Sequence, residues 1–121
     1  MPSILFKCKG NICRSPAAEL LLRYYRPDWH IFSVATTPNT IGETMHPRMI
    51  FEFKKRGYPI SNLPREVYYQ DWIIEQMGDF DQIHDLHAEG IQDPYITGNF
   101  SAAFIEIDQY IKNVVIASIE D

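Results

Sequence analysis

The chain has 121 residues, which suits a single domain with a modest core, and we treat residues 1–121 as one domain. An apolar fraction of 45% excludes a disordered chain, and a net charge of −5 argues against a nucleic-acid partner, which would need a basic face. No apolar run is long enough for a membrane span, so we expect no membrane partner. Two cysteines five positions apart cannot form disulfides that stabilise a small secreted fold, and we expect a cytoplasmic protein.

The first predicted elements are a buried strand over residues 3–7, a tight loop and a helix over residues 15–25. The loop, residues 8–16, reads Cys-Lys-Gly-Asn-Ile-Cys-Arg-Ser-Pro. A loop in this position directs successive backbone N–H groups at one spot, at the positive end of the helix dipole. Cys8 would face the centre of this cradle, and Arg14 would close it with a planar fork of donors suited to phosphate oxygens. The sequence therefore places a nucleophile and a phosphate clamp in one loop.

The other loop residues favour the same interpretation over that of an ordinary buried thiol. The positive surroundings favour a thiolate at Cys8, and Ser15 beside it can donate a hydrogen bond to the sulfur. Asn11 tolerates a left-handed backbone, and its amide can pin the loop. The residues predicted to bind phosphate through this loop, besides Cys8 and Arg14, are Lys9, Gly10, Asn11, Ile12, Cys13 and Ser15.

Strands and helices alternate along the rest of the chain. In chain order we predict a strand over residues 30–35, a helix from Pro47 that Gly57 stops, a short helix over residues 70–77, a third strand over residues 80–86, a turn over residues 93–95 and an amphipathic helix over residues 100–116. This alternation predicts an α/β fold with a doubly wound parallel sheet of three or four strands flanked by helices. A ligand is expected at the C-terminal edge of such a sheet, where Cys8 lies.

The nonapeptide resembles the phosphate-binding loop of the low-molecular-weight protein-tyrosine phosphatases, in which Cys-x-Gly-Asn-x-Cys-Arg-Ser-Pro follows the first strand. Every fixed position is matched here. Residues 33–36 resemble the family's Ser-Ala-x-Thr segment, and residues 93–95 match its Asp-Pro-Tyr motif before the last helix. The resemblance covers nearly the whole chain.

The resemblance implies a role for each matched residue. Cys8 would attack phosphorus, Arg14 would hold the oxygens, and Asp93 would act first as general acid and then as general base. Tyr95 would form one wall of the substrate slot, and Ser33 would support the loop asparagine. We therefore expect a phosphomonoesterase, namely a protein-tyrosine phosphatase that forms a phosphocysteine intermediate. Its substrate would be a phosphorylated protein or a small phosphomonoester, and no cofactor and no metal are expected.

Three departures from the family pattern stand out. The aromatic residue that commonly follows the second strand is replaced by Asn39 or Thr40, and Lys9 and Asn62 replace an uncharged residue and a histidine. Only residues 87–92 separate the third strand from the Asp-Pro-Tyr motif, where the family has a helix, a strand and a loop. This spacing indicates an internal deletion that leaves the third strand at the sheet edge. An alternative placement makes residues 79–87 a helix and residues 72–77 the strand.

The departures leave other interpretations open. Uncovered apolar surface beside the deletion predicts self-association, most simply as a homodimer. A catalytically weakened phosphate-binding module is an alternative function, and arsenate reduction is a further one, although it needs relay cysteines and none follows Cys13.

Cys13 is either a redox guard of Cys8 or a residue that packs under the loop. His84 and His87 lack a third ligand nearby, so we interpret them as surface or core residues.

Overall fold

The computed structural model describes residues 1–9, 13–37, 45–59, 75 and 78–120. Its strands are β1 (Ser3–Cys8), β2 (His30–Ala35) and β3 (Gln82–Asp85). Its helices are α1 (Arg14–Tyr25), α2 (Pro47–Lys55), α3 (Pro94–Thr97), α4 (Phe100–Tyr110) and α5 (Ala117–Glu120), with wider π-helical turns over Ile111–Ile116 between the last two.

The described strands form one parallel sheet in the order β2-β1-β3. Strand β1 is central because its apolar run is buried on both faces: Ile4, Leu5 and Phe6 are fully buried. The chain leaves β1 toward β2 on one side and later returns to β3 on the other side. The C-terminal end of β1, at Cys8, is therefore a topological switch point, and the predicted α/β fold is confirmed.

The main core lies on one face of the sheet, between the strands and helices α1, α2 and α4. The apolar positions predicted along the last helix are all buried there: Phe104, Ile107, Ile111 and Val115. On the other face, Leu5 and Val34 are fully buried and pack with Phe32 and Phe80. Because these side chains hold the sheet on both faces, the end of β1 is a rigid platform.

Strand β3 settles the choice between the two placements of the third strand. Gln82–Asp85 runs in register with Ile4 to Lys7, so the alternative in which residues 79–87 are helical is wrong. Asp81 fixes the start of this pairing, since its carboxylate accepts a hydrogen bond from the Ser3 N–H at 2.8 Å. Among the described strands β3 lies at the edge, and Ile83 is half exposed there. The homodimer that this edge suggested stays a prediction.

The helix boundaries follow local signals that the sequence carries. Pro47 occupies the first turn of α2, and the His46 ring caps it by accepting a hydrogen bond from the Arg48 N–H at 3.1 Å. Gly57, with φ of 78°, ends this helix in a left-handed conformation, as predicted. The predicted helix over residues 70–77, and the alternative strand over residues 72–77, lie outside the described residues apart from Glu75. No helix in the described part of the chain is long and apolar enough to cross a membrane.

In β3, the ring of His84 lies against both the sheet and α4. Its Nδ1 is 2.7 Å from Tyr110 Oη, and its Nε2 is 2.7 Å from Gln82 Oε1. Because Gln82 Oε1 can only accept, Nε2 carries the proton and Nδ1 accepts from the tyrosine. Burial lowers the pKa of His84 below its ordinary value of 6.5, and the nearby charge of Glu89 opposes this shift.

This lowered pKa predicts a loss of stability in acid. Below pH 6.5 the unfolded chain binds a proton at His84 that the folded chain resists, so the free energy of unfolding falls as the pH falls. In urea titrations, His84→Asn should lose less stability between pH 8 and pH 5.5 than the wild type. His30→Asn, at an exposed position, should lose as much as the wild type. Equal pH dependence in all three proteins would contradict this account.

Candidate active site

Cys8 ends the central strand at the edge of the sheet where the sequence predicts a ligand. Its carbonyl accepts a hydrogen bond from the Thr36 N–H at 2.9 Å, which ties the end of β1 to the end of β2. The carbonyl of Lys9 likewise accepts from the Thr37 hydroxyl at 3.0 Å, and the Lys9 side chain is exposed. The backbone on both sides of the thiol is therefore fixed. Gly10, Asn11 and Ile12, which the sequence assigns to phosphate binding, lie outside the described residues.

Ser15 faces the Cys8 sulfur from the first turn of α1. Its Oγ lies 3.0 Å from Cys8 Sγ, and its backbone N–H donates to the same sulfur at 3.4 Å. The N–H is available because the first turn of a helix has no intrahelical acceptors for its amides. The positive end of the helix dipole also points at this spot. The predicted neighbourhood of Ser15 and Cys8 is thus present in the structure.

Arg14 begins α1 and is almost completely buried, with 3% of its surface exposed. Its Nη1 donates to the carbonyl of Ile91 at 3.0 Å and lies 3.3 Å from His87 Nδ1. Its Nη2 lies 3.5 Å from Asp93 Oδ2. All three partners come from residues 87–93, the connection between β3 and α3. This connection therefore brings the predicted clamp and the predicted general acid together.

The segment predicted as a turn, residues 93–95, is the start of helix α3, which Asp93 caps. The prediction of a turn without a helix is therefore wrong. Asp93 Oδ1 accepts a hydrogen bond from the Tyr95 N–H at 3.0 Å, Pro94 fills the first helical position, and Gly98 closes the helix with φ of 73°. Aspartate before proline is a strong helix start because the carboxylate binds amides that the helix leaves free. One carboxylate oxygen is used in this way, and the other faces Arg14. The side chain of Asp93 is 22% exposed.

Tyr95 stands beside the carboxylate on the outer face of α3, with 62% of its surface exposed. The ring of His46 meets it nearly edge to face, with centroids 5.3 Å apart, and stacks on Phe100 at 4.8 Å. The guanidinium of Arg48 lies over the ring of Phe100, 4.4 Å from its centroid. His46, at the start of α2, therefore supports one side of the Tyr95 ring. This position is compatible with the predicted role of Tyr95 as a wall of the substrate slot.

Ser33 lies under the loop but has a partner that the sequence did not indicate. Its hydroxyl donates to Glu19 Oε1 at 2.5 Å, and Glu19 also pairs with Arg23 at 2.8 Å. Glu19 is 1% exposed, so a carboxylate lies in the core beneath the active site. The predicted contact between Ser33 and Asn11 involves a residue outside the described part of the chain.

Three residues near the site were missed by the sequence interpretation. His87 was interpreted as a surface or core residue, and its side chain is indeed exposed, but its contact with Arg14 was not predicted; the end of β3 places the following turn beside the start of α1. His46 and Glu19 were not predicted at all, although the i,i+4 spacing of Glu19 and Arg23 was a visible signal for that pair. Within the described residues, no three His, Cys, Asp or Glu side chains are grouped so that they could hold a metal ion.

Comparison with known proteins identifies close sequence relationships. The family model of the low molecular weight phosphotyrosine protein phosphatases matches residues 3–73. The human low molecular weight phosphotyrosine protein phosphatase is 33% identical over 97 residues, which covers 75% of this chain and 58% of the human protein. This chain thus spans less than two thirds of the length of that relative.

Two further comparisons cover the chain from end to end. The low molecular weight protein-tyrosine-phosphatase PtpA of Staphylococcus saprophyticus is 24% identical over 148 aligned positions, which cover 100% of this chain and 96% of that protein. Because this chain has only 121 residues, the alignment contains gaps in this chain, and the deletion before the Asp-Pro-Tyr motif stays a prediction. The crystal structure of YfkJ from Bacillus subtilis has a TM-score of 0.82 at 24% identity and covers 99% of this chain and 95% of that chain, so the fold is shared.

Cys13 precedes α1 and packs into the main core. Burial raises the pKa of its thiol to about 12, the nearby Cys8 and Asp93 add to this shift, and Arg14 opposes it. A thiol that stays protonated at neutral pH is a poor nucleophile. The structure therefore favours the packing role over the redox-guard role that the sequence left open.

We expect the two cysteines to differ in reactivity. Iodoacetate at pH 7.5 should carboxymethylate Cys8 much faster than Cys13, and inorganic phosphate should protect Cys8 by occupying the anion cradle. Cleavage after Glu19 gives one peptide with both cysteines, and tandem mass spectrometry of it measures both rates in one sample. Modification of Cys13 at the same rate as Cys8 in the folded protein would contradict the raised pKa.

Proposed function

Since the chain belongs to the low molecular weight phosphotyrosine protein phosphatase family, we propose that it is a phosphomonoesterase that hydrolyses phosphotyrosine through a phosphocysteine intermediate. One observation supports this above all. The sulfur of Cys8 and the guanidinium of Arg14 come from one loop, the carboxylate of Asp93 comes from a distant part of the chain, and the three converge at the C-terminal end of β1. A structural thiol would need none of these neighbours.

In the first step the Cys8 thiolate attacks phosphorus. A bond from sulfur to phosphorus forms while the bond from phosphorus to the phenolic oxygen breaks. The carboxyl group of Asp93 gives its proton to the departing oxygen, so that a neutral phenol leaves. Asp93 is placed for this because its second oxygen lies 3.5 Å from Arg14 Nη2, while the first accepts from the Tyr95 amide, and because its side chain is 22% exposed.

In the second step water hydrolyses the phosphocysteine. The carboxylate of Asp93 accepts a proton from the attacking water, the bond from sulfur to phosphorus breaks, and inorganic phosphate and the Cys8 thiolate are released. The Ser15 hydroxyl and N–H face this sulfur, so they stabilise the thiolate as a leaving group. Both half-reactions thus use the same residues.

Arg14 acts in both steps by stabilising the charge on the equatorial phosphoryl oxygens. Phosphoryl transfer depends mainly on positioning and electrostatics, so a guanidinium that is already oriented lowers the barrier without further reorganisation. Its burial keeps the surrounding dielectric low, which strengthens this interaction. The contacts to the carbonyl of Ile91 and to His87 hold it in one orientation.

The surface around Asp93 favours an aryl phosphate as substrate. Tyr95 and Ile96 are 62% and 82% exposed beside the carboxylate, and an aromatic leaving group can pack against them. Phosphotyrosine in a protein presents such a ring on a side chain long enough to reach a recessed thiol. The homodimer and the cytoplasmic location stay predictions from the sequence. Arsenate reduction has less support, because the chain has only two cysteines.

The identity of the nucleophile is tested by Cys8→Ser. A serine hydroxyl is far less acidic than a thiol and is therefore a much poorer nucleophile at neutral pH, so turnover of p-nitrophenyl phosphate should fall to the background rate. The variant should still bind vanadate or phosphate, since Arg14 and the loop amides are unchanged; calorimetry measures this binding and serves as the folding control. Turnover comparable to that of the wild type would exclude the covalent mechanism.

The role of Asp93 is tested by varying the leaving group. Asp93→Asn should lower kcat for phenyl phosphate by roughly 10²–10⁴-fold, because an unactivated phenol needs the proton. The loss should be smaller for p-nitrophenyl phosphate, whose leaving oxygen is stable without protonation. Asp28→Asn, at an exposed position just before β2 and at the opposite end of the sheet, is the matched control and should leave both rates unchanged. An equal loss on the two substrates would show that Asp93 is not the acid.

A further inference from the structure

The connection after β3 offers Arg14 two acceptors at the same nitrogen. Nη1 carries two hydrogens; it donates to the Ile91 carbonyl at 3.0 Å and lies 3.3 Å from His87 Nδ1. Arg14 is 3% exposed and its contact with the Ile91 carbonyl is buried, whereas His87 lies at the surface. These two contacts therefore determine how the guanidinium plane is oriented.

The contact with His87 requires a defined protonation state. A guanidinium is donor only, so Nδ1 must accept, which means that the imidazole is neutral with its proton on Nε2. Protonation at Nδ1 would place two positively charged donors against each other. The charge state of His87 thus decides whether Nη1 of Arg14 has two acceptors or one.

Because Nη1 binds the Ile91 carbonyl and His87, the opposite edge of the guanidinium is the one that can bind the phosphoryl group. Nη2, which lies 3.5 Å from Asp93 Oδ2, and Nε form the remaining edge of the fork. Two parallel donors at this edge match the spacing of two oxygens on a phosphoryl group or sulfate. A rotation of the plane about its stem would turn this edge away from the anion.

We propose that neutral His87 is a positioning residue, which holds Arg14 at the angle where its free edge faces the oxyanion above Cys8. This inference rests on the proposed function for its effect on catalysis, but its effect on anion binding is independent of turnover. A proton on His87 loosens Arg14 and weakens the site in acid.

The surroundings of His87 are fixed and charged. Its own N–H donates to Asp85 Oδ1 at 3.1 Å, which orders the turn that follows β3. Arg14 from α1 contacts the ring, Asp93 at the start of α3 pairs with the other end of the Arg14 guanidinium, and Asp85 and Glu89 are the charged residues of the same segment. Substitutions confined to residue 87 leave all four in place, so their titration is common to every variant compared.

The first test measures sulfate binding at pH 8 by calorimetry, since the charge of sulfate does not change with pH. His87→Asn keeps an acceptor at the position of Nδ1 and cannot be protonated, whereas His87→Ala has no acceptor. We expect His87→Ala to bind sulfate about 3- to 10-fold more weakly and His87→Asn to bind it within about twofold of the wild type. His30→Ala, at the far end of the sheet, should bind it as the wild type does. Wild-type affinity in His87→Ala, or an equal loss in His87→Asn, would overturn the proposal.

The second test follows kcat/KM for p-nitrophenyl phosphate from pH 8 to pH 5.5. Histidine side chains ordinarily gain charge in this range, whereas asparagine does not. The ratio of wild type to His87→Asn should therefore fall as the pH falls, while the ratio of wild type to His30→Asn stays constant. A constant ratio for His87→Asn would overturn the role of the neutral ring. Absence of turnover in the wild type would contradict the proposed function instead, and the sulfate comparison would still decide the role of His87.

Discussion

The buried guanidinium of Arg14 is the interaction on which the site depends. A charge with 3% exposure is costly unless it has hydrogen-bond partners and an opposite charge, and the connection after β3 supplies both. Because of this requirement, α1, near the start of the chain, is joined to the segment that leads into α3, in its last third. The same contacts place Asp93 above the end of β1. Stability and chemistry at this site therefore share one set of contacts.

The internal deletion that the sequence predicts is compatible with this arrangement because of the place at which it is predicted. The residues that converge on the site lie at the end of β1, in the first turn of α1 and in the segment that leads into α3. Strand β3 needs only its pairing with β1 to hold that segment, and Asp81 and Ser3 fix the start of the pairing. A sheet that ends at β3 among the described strands can therefore still position Arg14 and Asp93.

The sequence was informative where local chemistry decides the structure. The apolar run before the nonapeptide predicted β1, the end of the nonapeptide predicted the start of α1, and the apolar spacing of the last helix identified Phe104 and Ile107 as core positions. It was uninformative where tertiary contacts decide. His87 meets Arg14 across 73 positions, and the pKa of Cys13 rises through burial in the folded chain. Neither spacing nor residue type carries these facts.

The central claim is that a phosphoryl group passes through Cys8. In Asp93→Asn the second step lacks its general base, so an intermediate formed from p-nitrophenyl phosphate should accumulate. Acid quenching within the first turnover, followed by mass spectrometry of the peptides, reads this directly. The account predicts one phosphoryl group on the peptide that contains Cys8. Release of nitrophenol with that peptide unmodified, or with the phosphoryl group on another residue, would contradict it.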